Sequence, residues 1–443
     1  MKIRQVSWQR LAQWQIPMVY IVAGLIVSFV LPRLEQAYFG RYMHEVSVNT
    51  AIAFFSAVSS GMMALTGIVF AIAFVVVQFS ALAYSPRLVL VFTQDSKIFH
   101  TLGIFFCTFI YSLAALVWTD RNGSGNVPAF SAVLVMLLLV VSMVLFARMI
   151  QSVNTLQINA VLRTIGDRGR AVIDEMFGNM PAYTGEARQR TRIVPAEFGP
   201  PVQTLVYLDE PLVIAKLEIA ALVRLAAAAD AILVLECGVG ETLVVGTTLL
   251  NVYHAPHRLP ETSLMRCIRL RTTRTYEQDP RYAIRLLVDI AIRALSPAVN
   301  DPTTAVQALD QIEDLLRRLG RCQLEAGEVM DARGMTRLVV PVPTWQDYLS
   351  LSFDEIRQYG ANSVQVVRRL RAVLVGLAET VRAERRDAVL HYIAHLDLSI
   401  GRTGFDAEDK ASALEEDRQG LGMSRKRGPG GEVKAAQTRE TTV

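Results

Sequence analysis

The sequence predicts an α-helical membrane protein: four transmembrane helices followed by a C-terminal cytoplasmic α+β domain. Three observations predict it. The 52% hydrophobic content is concentrated in the first third, and the rest carries the charge density of an ordinary globular protein. A run of 41 residues between Glu45 and Arg87 contains no Asp, Glu, Lys or Arg. Lys and Arg are also shared unequally between alternate ends of the apolar stretches, as the positive-inside rule requires.

A spanning helix needs about 20 mostly apolar residues. The first runs over about residues 13–31, with Lys2, Arg4 and Arg10 ahead of it. No small-x-small cleavage site follows, because the chain continues Pro32-Arg33-Leu34-Glu35, so this is an uncleaved anchor. The second span, about 51–81, is longer than a bilayer is thick and must tilt or project. The third covers about 98–118 and the fourth about 127–147. Six basic residues (Lys2, Arg4, Arg10, Arg87, Lys97 and Arg148) fall on the N-terminal side, against Arg33, Arg41 and Arg121 opposite. Both termini are therefore expected in the cytoplasm of a bacterial inner membrane, with the bilayer as first partner.

Within the second span, Ser56, Ser60, Ala64, Gly67 and Ala71 fall on one helical stripe. Small residues let helix backbones approach closely in lipid. The stripe reads either as a packing seam within one subunit, or as a homo-oligomer seam or pore lining.

The net charge of +4 argues against a nucleic-acid partner. Cys107, Cys237, Cys267 and Cys322 form no CxxC pair, which excludes a disulfide framework or a zinc motif. No cofactor or catalytic motif is identifiable: the Gly238-x-Gly240 pair lacks a third glycine and a βαβ context. His391 and His395 share a helix face near Asp397, and His254 and His257 flank Ala-Pro, but neither pair has an identifiable third ligand.

After the spans, residues 148–200 read as a connecting helix, broken near Gly166 and Gly169, and a loop. Residues 201–258 read as a small α/β unit: a strand at 202–208, a helix at 211–228, a strand at 231–236 and a hairpin of 242–245 with 248–253. Residues 259–418 read as mainly helical, with a strand at 336–342, and 419–443 as a disordered basic tail. Asp279-Pro280 and Asp301-Pro302 each look like an N-cap followed by proline in the first turn. Asp289 and Arg293, spaced i, i+4 near an apolar face, read as a buried ion pair or as contacts to a ligand. Asn300 and Asp301 sit at a helix start, where free N–H groups favour an anion. Asp279, Asp289, Arg293, Asn300 and Asp301 are thus the candidate ligand-binding residues, with the ligand unknown.

The blocks FSALAYSPRLVLVFTQDSKIFHTLGIFFCTFIYSLAAL (79–116) and RTYEQDPRYAIRLLVDIAIRALSPAVNDPTTAVQALD (274–310) resemble the two signature blocks of a bacterial family of predicted membrane proteins, the domain of unknown function 2254. Ser85-Pro86-Arg87 at a membrane interface, and Ser296-Pro297 through Thr304, are the matching motif positions. One departure is Pro200-Pro201, where such proteins have Gly-Tyr before the first soluble strand. The resemblance implies the architecture and supplies no chemistry. Two functional expectations follow from the residues: an oligomeric channel or transport-related protein gated by its cytoplasmic domain, or a tethered sensor or scaffold with an anion-binding corner.

Overall fold

The computed structural model describes residues 15–38, 47–83, 96–120, 127–154, 158–177, 198–324 and 327–422. The chain divides into two compact units, the first ending at Gln157 and the second beginning at Ile158.

The N-terminal unit consists of four helices, α1 (Gln15–Tyr38), α2 (Val48–Ala83), α3 (Ser96–Trp118) and α4 (Ala129–Asn154). Each contains a stretch long and apolar enough to cross a membrane. The middle of the unit is α3, which packs against the other three helices and most extensively against α1. Two glycines permit that approach. A Cβ on Gly24 would lie 2.9 Å from the Cys107 sulfur, and one on Gly103 would enter the Tyr20 ring. Phe55, Met62 and Val69 of α2 close over Leu102 and Phe105 of α3, with Val135 of α4 in the same core. Helix α1 runs beyond the expected span and carries Pro32 inside it.

The C-terminal unit opens with α5 (Ile158–Phe177), which buries Val161, Leu162, Ile165, Val172 and Ile173 on one face. The break expected near Gly166 and Gly169 does not occur. Both glycines are buried within the helix, where a Cβ on Gly169 would stand 2.9 Å from Leu315 and 3.0 Å from Ala283. The glycines serve close packing here, and the helix tolerates their propensity cost of about 1 kcal/mol each.

Two sheets follow. In the first, β1 (Gln203–Val206), β5 (Thr248–Tyr253), β3 (Ile232–Leu235), β8 (Thr336–Val339) and β7 (Glu328–Met330) lie side by side in that order. In the second, β2 (Leu212–Leu217) lies between β4 (Thr242–Leu243) and β6 (Ile268–Arg271). Three expectations are corrected. Residues 212–217 form a strand, not the start of a helix; β-branched Val213 and Ile214 suit the middle of a sheet, and the helix α6 begins only at Ile219 and runs to Ala228. Segments 242–245 and 248–253 are not a hairpin, since β4 and β5 belong to different sheets. The boundary expected at 258 is crossed by β8, which pairs in parallel with β3.

The short helix α7 (Glu261–Arg266) leads into β6. Helices α8 (Pro280–Ala294), α9 (Pro302–Leu319), α10 (Trp345–Tyr359), α11 (Val364–Thr380), α12 (Ala383–Gly401) and α13 (Ala407–Ala413) complete the unit. Their starts follow the sequence: Asp279, Asp301 and Ser363 cap α8, α9 and α11, and Thr344 with Asp347 forms a capping box on α10. Of the tail expected over 419–443, residues 419–422 are ordered against the helices and 423–443 lie outside the described residues. The Asp417 carboxylate accepts from the amides of Gln419, Gly420 and Gly422, and Arg368 donates to the Gly422 carbonyl.

Candidate functional site

In the C-terminal unit the Glu277–Tyr282 segment joins the helices to the sheets. Gln278, held at φ +54°, uses its side-chain amide as a strand would. It accepts from the Leu217 N–H at 2.9 Å and donates to the Leu217 carbonyl at 3.1 Å. Asp279 caps α8 by accepting from the Arg281 amide, and it pairs with the Arg281 guanidinium at 3.0 Å. Arg281 also reaches the Val239 carbonyl in the Gly238–Gly240 turn. Gly240 closes this joint at φ +84°, where any Cβ would strike Asp279 Oδ2. Asp279 is 2% exposed and its Oδ2 has no hydrogen-bond partner. Burial pushes its carboxyl above the ordinary range, with the Arg281 guanidinium opposing. The neighbouring Tyr276 hydroxyl is also buried without a partner, and burial pushes it up to about 12 against the pull of Arg168, whose guanidinium lies 5.0 Å from the ring centroid.

The five candidate ligand residues do not meet at one point. Asp279 stands at the start of α8 and Asn300–Asp301 beyond its end, about 22 Å apart for a helix of 15 residues. Asp289 is held by Arg285, one turn earlier, at 2.6 Å, and Arg285 continues to Glu355 of α10 with a two-pronged contact of 2.9 and 2.6 Å. Arg293 is half-buried on the same helix. Asn300 turns the corner at φ +46°. Asp301 spends its carboxylate on Thr304, accepting from the amide at 3.1 Å and the hydroxyl at 2.6 Å.

A groove of about 590 Å³ lies elsewhere, between α5 and α9. Asn159, Arg163 and Arg170 line one wall; Gln307, Asp310 and Asp314 line the other. Arg170 bridges the walls, pairing with Asp314 at 2.8 Å and with Asp167 of its own helix at 2.6 Å. Among the described residues, no three His, Cys, Asp or Glu side chains come together as a metal site. The His391 and His395 rings lie 6.3 Å apart, and His254 packs edge-on against Phe198.

In the N-terminal unit the small-residue stripe turns outward. Ser60, Ala64, Gly67 and Ala71 are exposed and Ser56 half-buried, and a Cβ on Gly67 would meet nothing within 4 Å. The packing seam within one subunit is therefore not at this stripe; Gly24 and Gly103 supply it instead. Ser85, Pro86 and Arg87 lie outside the described residues.

What the unit buries is hydroxyls. Thr101, Thr108, Ser112 and Thr119 form one stripe along α3, joined by Ser131 and Ser142 of α4, Ser59 and Thr66 of α2, and Ser28 of α1. The Tyr111 hydroxyl donates to Ser131 at 3.1 Å, and Thr108 and Ser142 share a hydrogen bond of 3.2 Å. At one end of α3, Tyr20 and His100 are hydrogen-bonded at 3.1 Å. At the other end sits Glu35, 2% exposed, one oxygen accepting from the Phe130 amide at 2.8 Å and the other with no hydrogen-bond partner among the described residues.

Glu35 and the α5–α9 groove escaped the sequence reading. A signal for Glu35 was present: Ser28 and Glu35 are seven residues apart, so both fall on one face of a mainly apolar helix. The groove left none, because its walls are ordinary charged helix faces 140 residues apart in the chain.

The family model described as "Predicted membrane protein (DUF2254)" matches residues 10–375. Similar proteins include the uncharacterized protein Rv1290c of Mycobacterium tuberculosis and the uncharacterized protein Mb1321c of Mycobacterium bovis. Each is 27% identical over 417 residues, covering 91% of this chain and 79% of the relative. No solved structure matches the chain significantly.

Proposed function

This chain belongs to the DUF2254 family of predicted membrane proteins, and within that family we propose for it a transport-type role: passage of a small ion or solute along the buried polar seam of the N-terminal unit. The observation that carries the reading is that seam. In lipid, an apolar helix gains nothing by hiding hydroxyls, so a row of them along α3 with an acidic group at its end is functional or serves as cross-helix glue. Two inter-helix hydrogen bonds, Thr108–Ser142 and Tyr111–Ser131, are glue, and Ser28, Thr66, Ser112 and Thr119 donate to a carbonyl of their own helix; what carries the reading is that these hydroxyls line up on one buried face with Glu35 at its end. The outward stripe on α2 suits a homo-oligomer, and the Lys and Arg bias suits an inner-membrane protein with cytoplasmic termini. The C-terminal unit then acts on the spans as a gate by shifting their equilibrium.

The test is the full chain purified in detergent, weighed for oligomeric mass, and reconstituted into liposomes for ion and solute flux. A defined oligomer with flux above empty vesicles is expected; a silent monomer sinks the reading.

The α5–α9 groove favours a second reading, a tethered sensor or scaffold in which Arg163, Asn159 and Gln307 hold an anionic ligand. Inorganic phosphate raising the melting temperature of the wild type, but not of Arg163→Ala, would support it. No shift in either would count against it.

A further inference from the structure

The chemistry at Glu35 identifies what the seam carries. The end of α1, the end of α3 and the start of α4 meet around this carboxylate, which is 2% exposed. Among the described residues, the titratable groups facing it are Tyr111 and, beyond that, Cys107, both on α3. On its own helix, Arg33 is stacked 5.6 Å from the Trp118 ring centroid. From α4 come the amide of Phe130 and the hydroxyl of Ser131.

A helix cap explains half of this. One oxygen on a helix N-terminus is a sufficient cap, and Ser, Thr or Asn would provide it without importing a charge into the membrane. The second oxygen, Oε2, is what the cap does not use. An enclosed carboxylate oxygen without a donor is costly unless something positive binds it, and the smallest such thing is a proton. The helix is also one backbone hydrogen bond short beside this position. Pro32, three residues earlier, has no N–H, so the helical hydrogen bond that would hold the Ser28 carbonyl is missing just before the segment carrying Glu35. From His100 to Thr119 the hydroxyl-bearing face of α3 is about 28 Å long, close to the thickness of the hydrocarbon layer.

We propose that Glu35 is a proton-binding site, proton-bound while the ends of α1, α3 and α4 are closed and released when they open, and that the species moved along the seam is the proton. This deepens the transport reading and rests on it for the movement, but not for the binding. Binding adds one proton to Oε2, and opening returns it to water on the side to which the helix ends open.

Two measurements on the full chain separate these parts. The C=O stretch of a protonated carboxyl is read by infrared difference spectroscopy with no reagent entering the site, so the band present in wild type and lost in Glu35→Gln reports proton occupancy of Glu35. That band should be strong in acid and fall several-fold in alkali. In liposomes holding a pH-sensitive dye, an imposed pH gradient should collapse at least tenfold more slowly with Glu35→Gln, which retains a cap acceptor, than with wild type. If wild type passes ions but Glu35→Gln passes protons equally well and no such band is found at any pH, the proton site is overturned and the transport reading stands. If the band titrates as expected and wild type passes nothing, the transport reading falls and the proton site remains.

Discussion

The two units treat buried carboxylates in opposite ways. In the C-terminal unit Asp279 has the Arg281 guanidinium at 3.0 Å, and Asp289 has Arg285 at 2.6 Å. Asp279 and Glu35 each keep one oxygen without a hydrogen bond, but Glu35 in the N-terminal unit has only a backbone amide on its other oxygen and, among the described residues, no cationic partner. The contrast separates architecture from chemistry. Paired charges that bridge two helices or a helix and a turn hold a fold together, and their removal is read as lost stability. A carboxylate enclosed without a counter-charge does little for a fold, and its removal is read in what the protein binds. The conspicuous polar motif of this sequence falls in the first class.

The largest stability effect expected under this division is at Arg285. Its guanidinium joins Asp289 of α8 to Glu355 of α10, and side-chain exposures of 20% and 13% put Arg285 and Asp289 largely out of water. Arg285→Met should cost about 2–3 kcal/mol, below the full value for breaking a buried pair because Glu355 is 42% exposed and partly screened. Denaturant unfolding of the full chain, followed by tryptophan fluorescence, measures it. A change within error would break the assignment of this network to architecture.

Gly240→Ala comes next. The residue sits at φ +84° and its Cβ would run into Asp279 Oδ2, so backbone strain and overpacking add to about 2 kcal/mol. Gly246, at φ +89° with open space around it, is the control for strain without collision. Equal losses at both positions would remove the joint from the explanation.

A smaller, pH-dependent effect belongs to Asp279. Burial raises its carboxyl above the ordinary value despite Arg281, so the folded state favours the proton-bound form. The stabilisation is complete below the ordinary carboxylate range and is lost as pH rises through the raised value. Asp279→Asn keeps a capping side chain and cannot ionise, so the variant should gain on the wild type as pH rises across that interval. The gain is about 1.4 kcal/mol for each unit separating the folded and unfolded values. The Arg281 attraction acts only on the ionised carboxylate and is already contained in the net rise; the difference between Asn and the proton-bound Asp is the offset that does not change with pH. A gap that moves the other way would mean that Arg281, not burial, governs the group.

Four spans, the caps at Asp279 and Asp301, and the strands at 203–206 and 232–235 were legible because each rests on local chemistry: apolar length, a side chain on free amides, β-branched runs. What was not legible depends on partners distant in sequence. Leu212–Leu217 looked helical because it runs without a break into the Ala- and Leu-rich α6, and only its place between β4 and β6 makes it a strand. Gly166 and Gly169 looked like breaks because the surface they fit, around Gln311 and Leu315 of α9, cannot be seen from α5. At the candidate site, the acidic residues were found, but Gln278 and Arg285, which bond to Leu217 and to Asp289 and Glu355, were not, because those partners cannot be seen from local sequence.

The small-residue stripe shows the same limit within the membrane, and Gly67 is where the smallest effect on the fold is expected. Spacing alone cannot say whether a small-residue face is turned toward its own bundle. Gly103→Leu would drive a side chain into the Tyr20 ring and force α1 from α3, costing about 2 kcal/mol or more and lowering the melting temperature in detergent. A Cβ on Gly67 meets nothing within 4 Å and the position is exposed, so the effect of Gly67→Leu on the stability of the monomeric fold should stay within about 0.5 kcal/mol. The oligomeric mass is the decisive readout for Gly67→Leu. A bulky side chain on a face where a second copy closes would separate the copies and lower the mass while the fold survives. An unchanged mass with an unchanged melting temperature would assign that face to lipid, and would leave the hydroxyl seam and Glu35 as the N-terminal unit's remaining functional feature.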